Sequence, residues 1–187
     1  MSGYRTEGEF LNIPNTLTLL RIVLTPLMVI LILYREFHPA LVVFTVAGVT
    51  DALDGFLARV LKQQTMAGRI LDPLADKMLL VSSFVTLSMT GIVPVWLTVI
   101  VIARDFIILA GVTLLFMFRE GVEIAPSFIG KFTTVLQLAS VFFAMTGMDV
   151  HEVSWLVAPL FRATAAITVI SGMHYMYSGF RILTEEL

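Results

Sequence analysis

The sequence predicts an all-α integral membrane protein of six transmembrane helices with one polar cluster. Hydrophobic residues make up 58% of its 187 residues and charged residues 14%, against roughly 45–50% and about 25% in soluble domains. A soluble globule of this size cannot hide so much apolar side chain. The apolar residues also gather in long runs that do not alternate, which favours membrane helices over barrel strands. An ordinary cytosolic enzyme, a disordered chain and a disulfide scaffold are thereby excluded. The chain has no cysteine, so thiolate catalysis and Cys-ligated metals are excluded as well. The net charge of −2 gives no basic footprint for nucleic acid.

A helix crosses a bilayer with about 20 mostly apolar residues. The first predicted span, 15–34, carries Arg21 as its only charge. Its length, Arg21 and Pro26 argue for a retained helix rather than a cleaved leader. The second, 39–61, is apolar until Asp51; the third, 71–89, begins polar and ends apolar. The fourth, 93–118, is apolar around Arg104-Asp105. The fifth, 132–148, has no charge, and the sixth, 154–177, has only Arg162. Short connections and the lack of any linker or repeat make residues 1–187 a single six-helix domain. Residues 1–12 are expected to form a short interfacial helix.

Basic residues set the orientation. With the N-terminus inside, Arg5, Arg59, Lys62, Arg69, Lys77, Arg119, Lys131 and Arg181 face the cytoplasm, and only Arg35 lies outside. Both termini are therefore expected in the cytoplasm.

An ionisable group within a span is costly unless it is paired or lines a wet cavity. Four aspartates gather at the inner ends of the second and third spans: Asp51, Asp54, Asp72 and Asp76. At about 100° per residue, Asp51, Asp54, Gly55 and Ala58 share an arc of roughly 100°, and Asp72 and Asp76 lie about 40° apart. The short connection makes these helices antiparallel neighbours, so both pairs can face one cavity. Aspartates at helix ends also pair with nearby cations, here Arg59, Arg69 and Lys77. Four on facing stripes, with the small residues Gly55, Ala58 and Gly68 among them, point instead to a site. Carboxylates in one site repel unless protonated or bridged by cations. Two histidines fall in outer loops (His38, His151) and one in the sixth span (His174). An oxygen-only donor set favours Mg²⁺, Mn²⁺ or Ca²⁺.

The segment at 51–76 reads DALDGFLARVLKQQTMAGRILDPLAD, that is, D-x-x-D-G-x-x-A-R, eight residues, then G-x-x-x-D-x-x-x-D. Eight fixed positions arise by chance on the order of 10⁻¹⁰ per register. This pattern resembles the signature of the CDP-alcohol phosphotransferase (CDP-alcohol phosphatidyltransferase) family. The likeness extends to NIPNTLTLLR in the first span and PSFIGKFTTVLQ before the fifth. The resemblance implies transfer of a phosphatidyl group from CDP-diacylglycerol to an alcohol, with release of CMP. It implies Mg²⁺ or Mn²⁺, two ions, on Asp51, Asp54 and Asp72, with Asp76 as catalytic base and further metal contact. It places Gly55, Ala58, Arg59 and Gly68 at the nucleotide. It also implies a homodimer and a bacterial inner (cell) membrane, with the site facing the cytoplasm.

Arg21, Arg104, Lys131 and Arg181 form a basic set suited to an acceptor's phosphate. Arg104 is also placed to pair locally with Asp105 or with another helix, Lys131 to snorkel to the interface, and Asn15 to cap the first helix. Two branches of the family match the flanking text. NIPNTLTLLR and GKFTTVLQ resemble the phosphatidylglycerol phosphate synthases, which use glycerol 3-phosphate. The text around Asp51, LDPLADK, IVPVWLT and Arg104-Asp105 resemble the CDP-dependent cardiolipin synthases, which use phosphatidylglycerol. The former more usually carry Arg-Glu where this chain has Arg104-Asp105. Glycerol 3-phosphate is the preferred acceptor, with phosphatidylglycerol the alternative. A non-enzymatic, cation-binding membrane transporter is the reading from another class.

Overall fold

The computed structural model describes the backbone over residues 13–60, 66–118, 128–146 and 151–184. Side chains are described over 16–51, 53, 74–111, 128–146 and 155–178. Six helices run through the described residues: α1 (Ile13–Leu33), α2 (Phe37–Val60), α3 (Met66–Met89), α4 (Val95–Phe118), α5 (Phe128–Thr146) and α6 (His151–Thr184). The interfacial helix expected at 1–12 lies outside the described residues.

Each of the six predicted spans falls on one helix, but several ends differ. Helix α3 begins five residues before the expected 71, so Gly68 is helical. Helix α5 begins at Phe128, so Lys131 lies inside it rather than just before it. Helix α6 runs to Thr184, so Arg181 is likewise helical. The cause is common to all three. Hydropathy marks where the apolar run is interrupted by a glycine and a basic residue, whereas the backbone hydrogen bonds of a helix continue through both. Asn15 was expected to cap α1, but the helix starts at Ile13. Pro14 fits that first turn because its missing N–H has no intrahelical partner there.

Among the described residues, three stretches are by length and composition apolar enough to cross a membrane: Thr16–Leu33, Phe128–Thr146 and Trp155–Ser178. Phe37–Asp51 is a shorter apolar stretch.

The chain groups into two compact units, Met1–Thr90 and Gly91–Leu187, and each is described by itself. In the first, α1 packs on α2 and α3. The buried face of α1 is Thr18, Arg21, Thr25, Met28 and Ile32, a 3-4-3-4 spacing that keeps one stripe inward. Ala40, Phe44 and Ala47 form the buried stripe of α2; Ala75, Leu79, Leu80, Ser83, Phe84 and Leu87 form that of α3. Lipid gives no hydrophobic drive between helices, so close packing and polar contacts hold them together. The small residues of these stripes allow that approach. Ser83 Oγ lies 3.4 Å from Met28 Sδ across α1 and α3, and it also donates to Leu79 O at 2.7 Å.

The turn from α1 to α2 closes tightly. Arg35 N–H donates to Ile32 O and Glu36 N–H to Leu31 O, both at 2.9 Å, which is the paired bonding of a Schellman C-cap. Arg35 takes the left-handed conformation (φ 63°) that this motif requires and that glycine adopts without strain.

In the second unit, α6 packs against both α4 and α5. A polar seam joins α5 to α6. Ser140 and Thr164 hydroxyls lie 2.7 Å apart, and Gln137 Nε2 donates to Thr168 Oγ1 at 3.4 Å. All four residues are fully buried. In lipid such groups must find partners within the protein.

Candidate active site

The site begins as the polar end of three apolar stripes. On α1 the inward stripe climbs from Ile32 and Met28 through Thr25 to Arg21. On α2 the sequence 40, 44, 47 continues by four residues to Asp51, and on α3 the sequence 83, 80 continues by four to Asp76. Helical periodicity thus carries one cation and two acids to the same end of the three-helix unit.

Arg21 Nη1 lies 2.8 Å from Asp51 Oδ1, and the same nitrogen donates to Asp76 Oδ1. One guanidinium nitrogen therefore joins acids of two different helices. The Arg21 side chain has no exposed surface, whereas Asp51 and Asp76 keep 39% and 41% of theirs. The cation stands behind the two acids, and the acids face outward. Among the described contacts, two carboxylates meet one guanidinium, an excess of negative charge with an open edge. Unit charges about 4 Å apart interact by about 4 kcal/mol at an effective dielectric near 20, so this excess attracts a cation from outside.

The expected site residues divide accordingly. Asp51, Asp76 and Arg21 are brought together. Asp54 lies on α2 one turn beyond Asp51, and Asp72 on α3 one turn before Asp76. Gly55, Ala58 and Arg59 belong to α2 and Gly68 to α3. The side chains of these six lie outside the described residues, as does that of Arg181 on α6. Among the described residues, no three His, Asp or Glu side chains converge as a metal site. The two acids that do converge fit a hard divalent ion, since they offer only oxygen and part of each remains exposed.

Arg104 is buried in the second unit and is engaged there. Its Nη1 donates to Asp105 Oδ1 at 2.9 Å and its Nη2 to Ser171 Oγ at 3.0 Å. Its guanidinium carbon lies 5.7 Å from the centre of the Tyr175 ring, within cation–π range. Gly172 packs beside this arginine: a Cβ there would meet Arg104 Cγ at 3.6 Å, an ordinary contact. Lys131 is exposed in the first turn of α5, and Arg162 is exposed on α6.

Sequence reasoning missed the link from Arg21 to the acids, and Ser171 and Tyr175 as partners of Arg104. The signal for the first was present: Arg21 is the one charge in an apolar span, and such a charge needs a partner.

Comparison with known proteins adds the family. The CDP-alcohol phosphatidyltransferase family matches residues 11–173, nearly the whole chain. The chain belongs to this family. Cardiolipin synthase (CMP-forming) of Rattus norvegicus is 40% identical over 143 residues, covering 68% of the chain and 47% of that protein. The chain spans about half the length of the rat and human cardiolipin synthases. A probable phosphatidylglycerophosphate synthase of Mycobacterium tuberculosis is 34% identical over 185 residues, covering 94% of the chain and 85% of that protein. CDP-diacylglycerol–glycerol-3-phosphate 3-phosphatidyltransferase of Aquifex aeolicus is 32% identical over 182 residues, covering 94% of the chain and all of that protein. Family membership, with three helices apolar enough to span a bilayer, makes this CDP-alcohol phosphatidyltransferase homologue a membrane protein.

Proposed function

We propose that the chain transfers a phosphatidyl group from CDP-diacylglycerol to glycerol 3-phosphate, giving phosphatidylglycerol phosphate and CMP. The observation that carries this reading is the convergence of half-exposed Asp51 and Asp76 on buried Arg21. It places an outward-facing acidic edge on two helices that carry the family's motif.

Asp51, Asp54, Asp72 and Asp76 would hold the divalent ions, Mg²⁺ or Mn²⁺. Those ions supply charge neutralisation for the diphosphate and for departing CMP. Asp76 takes the proton of the acceptor hydroxyl. The acceptor oxygen forms its bond to the phosphorus that carries diacylglycerol, the bond from that phosphorus to the CMP oxygen breaks, and CMP leaves. Gly55, Ala58 and Gly68 admit the nucleotide closely because they carry little or no side chain, and Arg59 meets its phosphate. Lys131, exposed on α5, is the cation best suited to the acceptor's phosphate.

All six helices span the membrane in this reading, with both termini and the acidic site on the cytoplasmic side of a bacterial cell membrane. Basic residues support it, as do exposed aromatics. Tyr34, Trp96 and Trp155 are exposed, and all fall at helix ends assigned to the outer interface, where such side chains anchor.

Glycerol 3-phosphate is favoured over phosphatidylglycerol by coverage: the glycerol-phosphate relatives align along 85% or more of their length. The second reading, phosphatidylglycerol as acceptor, is favoured by the higher identity to the cardiolipin synthases. CMP release by purified protein with each acceptor in parallel decides between them. Release with glycerol 3-phosphate alone supports the first reading, and release with phosphatidylglycerol alone replaces it. Release with neither, together with cation flux into proteoliposomes, replaces both with a transporter.

A further inference from the structure

Arg21 is the most completely enclosed charge among the described side chains, with no exposed surface. It contributes to all three helices of its unit. Its backbone carbonyl accepts the Thr25 hydroxyl at 2.9 Å within α1. Its Nη1 reaches Asp51 on α2 and Asp76 on α3. A buried cation persists only where anions compensate it, and two carboxylates share one site only where one is protonated or a cation bridges them. Each side of this contact therefore stabilises the other. The contact uses Oδ1 of both acids, while about two fifths of each acid's side-chain surface stays open. The guanidinium thus occupies the inner side of the pair and leaves the outer side to a ligand.

We propose that Arg21 is a positioning residue: a fixed internal cation that holds Asp51 and Asp76 at a set spacing and orientation behind the site where a divalent ion binds. This rests on the phosphatidyltransferase reading above. Arg21 touches neither the nucleotide nor the acceptor in this proposal; it acts through the two acids. It keeps them together before an ion arrives, and it limits their freedom once the ion is bound, so that Asp76 faces the acceptor hydroxyl. A neutral residue at 21 removes the inner cation, and the acids then depend on the outer one.

The test is thermal unfolding of the purified full-length protein in detergent, with chelator and with saturating Mn²⁺, beside CMP release at saturating Mn²⁺. Wild type, Arg21→Met and Arg21→Lys are compared. Arg21→Met is expected to unfold at lower temperature in chelator. Mn²⁺ should recover most of that loss, making its stabilising shift at least about 3 °C larger than in wild type. CMP release should nevertheless stay at least about tenfold below wild type, because an outer ion restores charge balance but not orientation. Arg21→Lys, which keeps the internal cation, should recover more of both properties than Arg21→Met.

A loss of stability that is the same in chelator and in Mn²⁺ would show a purely structural arginine and overturn the proposal. Full activity of Arg21→Met in Mn²⁺ overturns it too. If Arg21→Met folds only with Mn²⁺ the proposal stands, and if it folds in neither condition the proposal falls. A wild type that neither responds to Mn²⁺ nor releases CMP overturns this inference and the phosphatidyltransferase reading together. A wild type that does both, with an Arg21→Met that gains nothing extra from Mn²⁺, overturns this inference alone.

Discussion

Arg21 and Asp51 meet at 2.8 Å, with the arginine side chain fully buried and the aspartate 39% exposed. A cation sealed inside the three-helix unit faces an acid whose other side is open, and Asp76 repeats the arrangement from α3. The acid pair is thus supported from within and available from without.

Lys131 supplies a prediction about the acceptor. Lys131→Ala should raise KM for glycerol 3-phosphate about tenfold or more, the worth of one hydrogen bond to a charged group, and leave kcat within about threefold. Initial-rate kinetics of CMP release over an acceptor series measures it. A fall in kcat at unchanged KM would remove Lys131 from acceptor binding.

Arg104 supplies one about stability. Its neighbour Asp105 has only 9% of its side chain exposed, so Arg104→Met leaves a buried carboxylate without its guanidinium. Breaking a buried pair from one side costs about 3–5 kcal/mol. Arg104→Met should therefore lower the unfolding temperature in detergent by about 6–20 °C. Arg104→Met,Asp105→Leu, which removes both charges, should recover much of the loss. A double variant as unstable as the single one would mean that the pair is not the cause.

The α5–α6 seam gives a smaller effect. Ser140→Ala or Thr164→Val deletes the 2.7 Å contact between the hydroxyls. Interhelical hydrogen bonds in membranes average about 0.6 kcal/mol and reach about 1.7. Each single variant should cost about 1 kcal/mol, and the double variant clearly less than the two losses added. Strict additivity in a double-mutant cycle would deny the contact.

The turn between α1 and α2 gives a gain. Arg35 holds φ at 63°, a conformation that costs a non-glycine residue about 1 kcal/mol. Arg35→Gly should stabilise the protein by about that amount, seen as a rise in unfolding temperature of a few degrees. An unchanged or lower temperature would mean that the arginine's own contacts outweigh the strain.

The sequence disclosed much of this, and the limits have physical causes. The six helices were legible because each carries a long apolar run that does not alternate. Their ends were less so, because Gly68 and Arg69 interrupt the apolar run near the start of α3 and α6 outlasts its apolar stretch. The acids of α2 and α3 were legible because i, i+3 and i, i+4 spacing fixes a face regardless of tertiary structure. Their cation was not, because Arg21 and Asp76 are 55 residues apart and only packing of α1 on α3 joins them. Ser171, 67 residues beyond Arg104, was hidden for the same reason. The pair Arg104-Asp105, adjacent in sequence, was legible as one of the readings open for Arg104 beside an acceptor role.

The most direct measurement is CMP release from CDP-diacylglycerol by purified wild type, Asp51→Asn and Asp76→Asn, each titrated with Mn²⁺ after chelation. Release by wild type should depend on the metal. Asp76→Asn should remain folded yet fall about 10²–10⁴-fold at saturating Mn²⁺, and Asp51→Asn should need at least about tenfold more Mn²⁺ for its half-maximal rate. Release that survives chelation, or either variant matching wild type across the titration, would contradict this.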